Sequence, residues 1–291
     1  MPYVTIADPV GALADLGGFD DLLNPALRGM VRVVGGPGTG KSHALVAVAA
    51  ARISAGADLE SVLLLTGSPR VAAAARGALT AALLREHSDE PCRAVIREPL
   101  VRTIHSYAFA VLSRAASRAG NPPPRLITGA EQDGIIRDLL AGDLADGAGS
   151  VSRWPEELRP ALTSDGFATE LRDLLARCAE RGVDPMALQR IGRLSRRPEW
   201  TAAGRFAQQF EQVMLLRASV GTAAPQATMP ALGAGELVGA ALEALAADPE
   251  LLAEERSRIR LLLVDDVQHL DPQAMRLVRA VAAGTELTVL A

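Results

Sequence analysis

The run MVRVVGGPGTGKSHALVAVAAARISAG, residues 30–56, restricts the local fold more tightly than any other stretch of the chain. It opens apolar and β-branched and reaches a pair of glycines, as a buried parallel strand does. It then continues as a helix former that Gly56 is placed to end. Between strand and helix sits Gly35-x4-Gly40-Lys41-Ser42. Glycines in such a loop let backbone N–H groups turn toward phosphate oxygens, and the helix N-terminus adds positive potential. Gly35, Gly36, Pro37, Gly38, Thr39 and Gly40 therefore read as a phosphate cradle for ATP. Lys41 reads as the cation that meets the β- and γ-phosphates, and the Ser42 hydroxyl as a ligand of Mg²⁺.

The alternative is a glycine-rich strand–helix turn that binds nothing, and it leaves the lysine unexplained. Lys41 is the chain's single lysine; every other one of its 30 basic residues is arginine. An ammonium is a compact charge on a slim stem, whereas a guanidinium is a wide planar fork. A position that keeps lysine against that background is one where the fork does not fit.

A phosphate loop needs a second carboxylate to complete its metal site. RIRLLLVDDVQHLDP (258–272) carries four apolar residues, Leu261 to Val264, and then Asp265 and Asp266. A buried strand that delivers an aspartate at its C-terminal end suits a metal ligand, here Asp265. The neighbouring Asp266 is placed to orient and activate a water. Two more strand–helix units lie between: SVLLLTGSPRVAAAAR (61–76) and PLVRTIHSYAFAVLSRAASRAG (99–120). Their hydroxyls and amides fall at strand ends, where open α/β sheets bind ligands.

Those motifs together, GPGTGKS, TGSPRVAAAA, TIHSYAFAVL and LLLVDDVQ, resemble superfamily 1A DNA helicases of the UvrD/Rep/RecB type. The resemblance covers about residues 25–120 and 255–291. It implies an α/β fold, a RecA-like parallel-sheet P-loop domain with a large inserted all-helical domain. The implied boundaries are 1–120 and 236–291 for the sheet domain and 121–235 for the insert. By the same resemblance Thr66, Ser68, Arg70, Thr103, His105 and Ser106 would touch single-stranded DNA, and Gln268 would couple nucleotide state to that contact. The arginine- and alanine-rich style of 154–182 looks most like the AdnA subunit of actinobacterial AdnAB helicase–nucleases. That likeness implies a second subunit and duplex-end DNA as further partners, and a role in double-strand-break repair. For Ser68, Thr103 and their neighbours a helix-capping role stands as the alternative reading.

Three departures from the family pattern bear on activity. The acid after Asp265 is Asp266 where the family has glutamate. LLNPALRGMVRVV (22–34) lacks the glutamine that usually contacts adenine, and Gly67 stands where a phenylalanine is common. They raise a second reading, a DNA-binding scaffold subunit that hydrolyses ATP weakly or not at all. A small-molecule kinase is a third, disfavoured by the long stretch between Lys41 and Asp265. The chain ends at ELTVLA (286–291), where the family continues into a second RecA-like domain. The expectation is an N-terminal portion of a longer protein, with negligible ATPase by itself.

Bulk properties narrow the field. No window approaches the ~20 apolar residues of a membrane span, the start lacks a secretory layout, and Cys92 and Cys178 form no CxxC pattern. The expected location is the cytoplasm. Net charge is −4, yet six arginines from Arg93 to Arg125 face one acid, Glu98. That suits a groove for DNA or a solvated helix face equally. A second basic cluster is Arg193, Arg196 and Arg197. In the middle of the chain the periodicity predicts helices at 129–141, 155–162, 165–182, 184–192 and 199–219, with a linker at 221–235 and one helix over 236–258.

Overall fold

A computed structural model describes residues 3–7, 13–16, 19–86, 100–145, 154–220 and 231–291. In chain order the first elements are β1 (Tyr3–Ala7), β2 (Leu13–Leu16), α1 (Phe19–Leu22), β3 (Gly29–Val34), α2 (Lys41–Ser54), β4 (Val62–Thr66) and α3 (Pro69–Glu86). After them come β5 (Val101–Thr103), α4 (Ile104–Arg118), α5 (Gly129–Ala145), α6 (Asp165–Arg181), α7 (Pro185–Leu194) and α8 (Pro198–Val220). The chain closes with α9 (Ala234–Ala247), α10 (Pro249–Arg258), β6 (Leu261–Val264), α11 (Pro272–Ala282) and β7 (Leu287–Leu290). It divides into two compact units, Met1–Ala108 with Leu245–Ala291, and Phe109–Ala244.

The first unit is a seven-stranded sheet in the order β2-β1-β3-β7-β6-β4-β5. β3, β7, β6, β4 and β5 run parallel. The expected α/β fold with a parallel sheet is what the chain adopts. β4 and β6 are buried at every residue, as their continuous apolar sequences require. β3 differs from the expectation of full burial: only Val31 and Val33 turn inward, and Met30 and Val34 stay exposed. Alternate residues Val62, Leu64, Leu261, Leu263, Leu287 and Val289 join Leu45, Val48 and Ala49 of α2 in one core. The antiparallel pairings of β1 with β2 and with β3 were not foreseen. YVTIA and LADL are too short for a 2-residue period to declare itself.

Behind the parallel strands a buried polar contact joins α4 to α10. The Tyr107 hydroxyl donates to Glu255 Oε2 at 2.8 Å, and Arg258 Nη2 donates to the same oxygen at 2.9 Å. Tyr107 and Glu255 are each 1% exposed. Tyr107→Phe leaves the carboxylate with its arginine and removes one donor. We expect a loss of about 1 kcal/mol, a thermal midpoint lower by roughly 2–4 °C in a melting scan.

The region 236–258 is two helices rather than one. Asp248 ends the first and caps the second, accepting from Glu250 N and Leu251 N at 3.1 and 3.0 Å, with Pro249 at its first position. Asp184–Pro185 and Asp271–Pro272 start α7 and α11 in the same way. The aspartate satisfies an orphan N–H, and proline loses nothing at a position that has no partner carbonyl.

The second unit is helical throughout its named elements, and its core gathers most of the scarce aromatic residues. Trp154 meets Phe167 edge-on, with centroids 5.2 Å apart, and lies 6.3 Å from Phe206. Leu171 is buried there, with Leu174, Leu175 and Cys178 packed against the same cluster from one face of α6. The predicted helix at 155–162 is a 3-10 turn, Glu156–Ala161, interrupted by Pro160. The linker predicted at 221–235 lies outside the described residues as far as 230. Cys92, Arg93 and Arg97 lie outside them too.

Candidate functional site

The parallel strands aim their C-terminal ends the same way, so the segments that follow them meet along one edge of the sheet. The glycine-rich loop follows β3, Asp265 follows β6, Thr66 ends β4 and Thr103 ends β5. β7 lies between β3 and β6. Even so, the Ser42 hydroxyl donates to Asp265 Oδ1 at 2.9 Å, joining residues far apart in sequence.

The loop holds its shape through its own backbone. Gly38 and Gly40 have φ of 76° and 88°, a region that side chains rarely enter. A Cβ on Gly35 would sit 2.4 Å from Thr39 Oγ1 and 3.6 Å from Lys41 Cγ. Thr39 Oγ1 donates to Gly36 O at 2.9 Å, and Lys41 Nζ donates to Gly35 O and Gly36 O at 2.9 and 3.2 Å. The ammonium thus lies over the loop's concave side, on weak neutral acceptors that an anionic oxygen can replace. Gly36, Pro37, Gly38, Thr39 and Gly40 are exposed around it.

Asp265 is 3% exposed, and its carboxyl is pushed above the usual aspartate range. Burial is the main cause and the neighbouring Asp266 adds to it, while Ser42, the Asp266 N–H and Lys41 pull the other way. A buried carboxylate that lacks a full counter-charge, 2.9 Å from a hydroxyl oxygen, is a donor set for a hard cation. Both oxygens fit Mg²⁺ and the loop fits the phosphates of ATP.

Asp266 adopts a left-handed backbone, φ 53° and ψ 42°, one of two non-glycine residues among those described with positive φ. Its Oδ1 accepts from Gln268 Nε2 at 3.0 Å. His269 brings Nδ1 within 3.9 Å of that same oxygen and 3.3 Å of Gln268 Nε2. The signal was its spacing: in a 3-10 turn over Val267–His269, a residue three positions on lies over the first.

The other predicted contacts lie on the far side of β6. Thr66 and Thr103 are directly paired in register across β4 and β5. Thr66 is buried, its hydroxyl turned toward Ser68 O at 3.3 Å and Arg102 O at 3.4 Å. Ser68 Oγ accepts from Val71 N, and Thr103 Oγ1 from Ser106 N, at 3.3 and 3.1 Å, which are helix caps. A capping oxygen accepts, and its own proton can still be donated to phosphate, so capping and anion contact are compatible. His105 and Ser106 belong to the first turn of α4 rather than to a strand. Arg70 and Ser106 are exposed. The edge therefore reads, from β3 to β5, as cradle, carboxylates and then a row of hydroxyls with an arginine and a histidine.

The upstream segment without glutamine is organised differently. Arg52 of α2 donates through Nη2 to Leu27 O at 2.6 Å and Asn24 O at 3.3 Å, and Asn24 Oδ1 accepts from Ala26 N at 2.9 Å. Among the described residues no helix is long and apolar enough to cross a membrane.

A family model described as UvrD/REP helicase N-terminal domain matches residues 21–291. No curated protein matches the chain.

Proposed function

The chain belongs to the UvrD/REP helicase N-terminal domain family, a family of ATP-driven DNA helicase motors, and from that premise we propose how its residues divide the work. Residues 35–42 with Asp265 hold ATP and Mg²⁺. Thr66, Ser68, Arg70, Thr103, His105 and Ser106 hold single-stranded DNA. Gln268, beside the carboxylates and between the two groups, links them. Residues 1–120 and 236–291 form the motor domain, and 121–235 the inserted helical domain. The observation that carries this reading is the Ser42–Asp265 contact at 2.9 Å, which joins loop and carboxylate strand.

Bound ATP with Mg²⁺ supplies a cleavable phosphoanhydride and the charge that partly neutralises it. Lys41 leaves its carbonyl partners for phosphate oxygens. Ser42 and Asp265 would hold the cation through the oxygens that now share a hydrogen bond, and Asp266 would orient the attacking water. Donors on α3 and α4 grip phosphates of the strand without reading its bases, which suits movement along any sequence. Our reading extends to a helicase–nuclease subunit of the AdnAB type, paired with a second subunit and acting at duplex ends in double-strand-break repair.

The second reading, a scaffold that binds DNA but hydrolyses little, is favoured by one observation. Asp266 is a short acid on a left-handed backbone, tied to Gln268.

The test of the DNA assignment is fluorescence anisotropy with a labelled single-stranded oligonucleotide. Arg70→Ala and His105→Ala should each weaken binding roughly three- to tenfold. Arg70→Ala should also lower the salt slope by about 0.7. Affinity for an ATP analogue should be unchanged in both. Unaltered DNA affinity in both variants would remove this surface from the strand's path.

A further inference from the structure

Gln268 has two amide hydrogens, and the fold gives each of them an acceptor. We propose that His269 is a positioning residue for Gln268: its neutral ring holds the amide beside the carboxylates, and a proton on that ring lets the amide go.

The acceptor at one end fixes the direction of both bonds. Asp266 Oδ1 lies 3.0 Å from Gln268 Nε2. A carboxylate only accepts, so the amide turns its NH2 group toward it. The same nitrogen lies 3.3 Å from His269 Nδ1. A ring nitrogen facing an NH2 group at that distance accepts, which puts the ring proton on Nε2. One amide thus bridges Asp266 and His269, with a hydrogen on each.

Only the neutral ring fits this bridge. Protonated imidazole carries a hydrogen on both nitrogens, and Nδ1–H would then point at another donor. Nδ1 is also 3.9 Å from Asp266 Oδ1, the oxygen that Gln268 already holds. A small rotation of the ring closes that gap, and a charged donor bonds a carboxylate more strongly than a neutral amide does. Protonation therefore hands Oδ1 from Gln268 to His269 and frees the amide. The His269 side chain is 77% exposed, so it exchanges its proton with solvent.

The surroundings leave the ring to respond to Asp266. That is the one acid within 4.0 Å of it among the described residues. Asp265, with Lys41 acting on it, stands one residue behind, and Asp271 caps the helix that follows. β7 meets this turn through Ala291 O, which accepts from Val267 N at 2.9 Å, and β7 carries no charged residue.

That the bridge controls coupling rests on the role proposed above for Gln268; the bridge itself does not. Strand affinity measured by anisotropy, with and without the ATP analogue and Mg²⁺, gives coupling as a ratio and needs no turnover. In the whole chain that ratio should shrink roughly two- to tenfold between about pH 8 and pH 6, the range in which imidazole gains its charge and the worth of one hydrogen bond. His269→Ala should show the smaller ratio throughout. His269→Asn should keep the larger one throughout, because its Oδ1 can stand in for Nδ1, accepts, and does not titrate. A drift with pH that persists in His269→Asn belongs to Asp265. Affinity for the analogue alone and for the strand alone should hold in both variants.

Nitrogen NMR of the histidine rings reads the bridge directly. At about pH 8 His269 Nδ1 should be bare and hydrogen-bonded, and its signal should move in Gln268→Ala. An Nδ1 that carries the proton, or a signal indifferent to Gln268→Ala, overturns the bridge. A ratio that survives His269→Ala but not Gln268→Ala overturns the positioning role, as does a loss in His269→Asn equal to that in His269→Ala. A ratio that survives both His269→Ala and Gln268→Ala takes coupling away from Gln268 instead. That is a failure of the earlier reading, and the ring signal then decides the bridge.

Discussion

Lys41→Ala should weaken binding of a slowly hydrolysed ATP analogue with Mg²⁺ by roughly ten- to a hundredfold in calorimetric titration. A charge-assisted hydrogen bond to phosphate contributes about 1.5–3 kcal/mol, which converts to that range. The variant removes little else. Nζ bonds only to Gly35 O and Gly36 O, which sit in an exposed loop where water can replace it. An unchanged thermal midpoint in the absence of nucleotide is therefore part of the expected result. Lys41→Arg sharpens the test, because it keeps the charge and changes only its shape. The stem passes a loop so tight that a Cβ on Gly35 would already lie 3.6 Å from Lys41 Cγ and 2.4 Å from Thr39 Oγ1. A guanidinium fork in that space displaces the loop, so arginine should not restore affinity. Restoration by arginine would mean that charge alone is recognised there, and would leave the chain's single lysine without a physical reason.

How far the sequence could be read depended on whether the partners of a feature were local. The cradle was legible because strand, loop and helix are contiguous, and the glycines at 38 and 40 mark their own left-handed positions. The strand carrying Asp265 was legible because four apolar residues and two acids leave few alternatives. The contact between Ser42 and Asp265 was legible only as a pairing of two separate signals. What it does to Asp265, a buried carboxyl raised above its usual range, depends on neighbours that come together only in the fold. The approach of His269 to Asp266 was not legible, because it depends on a one-turn helix that propensity does not announce. Thr66 was grouped with exposed donors, yet a strand end between β6 and β5 buries it, so its hydroxyl turns inward. The break at Asp248–Pro249 was legible in principle, since proline inside a helical pattern marks a boundary, but the alanine-rich surroundings hid it. Arg196 stood out in the sequence only as one of three clustered arginines, and its left-handed backbone was not legible. Nothing in SRR says which residue will sit at positive φ.

Asp266→Glu should raise DNA-stimulated ATP turnover by on the order of a hundredfold. One methylene extends the carboxylate by about 1 Å, and a misplacement of that size can cost about that factor in rate. The geometry gives the shorter acid little reach. The backbone at 266 is left-handed, and Oδ1 is held at 3.0 Å by Gln268 Nε2, so the group is tied close to its own turn. Glutamate at the same backbone reaches past that hydrogen bond toward the water that must attack. Affinity for the ATP analogue should barely change, because the ligands proposed for Mg²⁺ are Asp265 and Ser42, which hydrogen-bond at 2.9 Å, and not residue 266. Rate and binding therefore separate, and phosphate release measured with saturating single-stranded DNA reads the first while calorimetry reads the second. A large gain with constant affinity identifies an impaired motor, with residue 266 as the cause. Constant affinity with no gain, in a protein that still grips the strand through Arg70 and His105, identifies the scaffold. In that case the intact cradle serves to hold nucleotide rather than to cleave it.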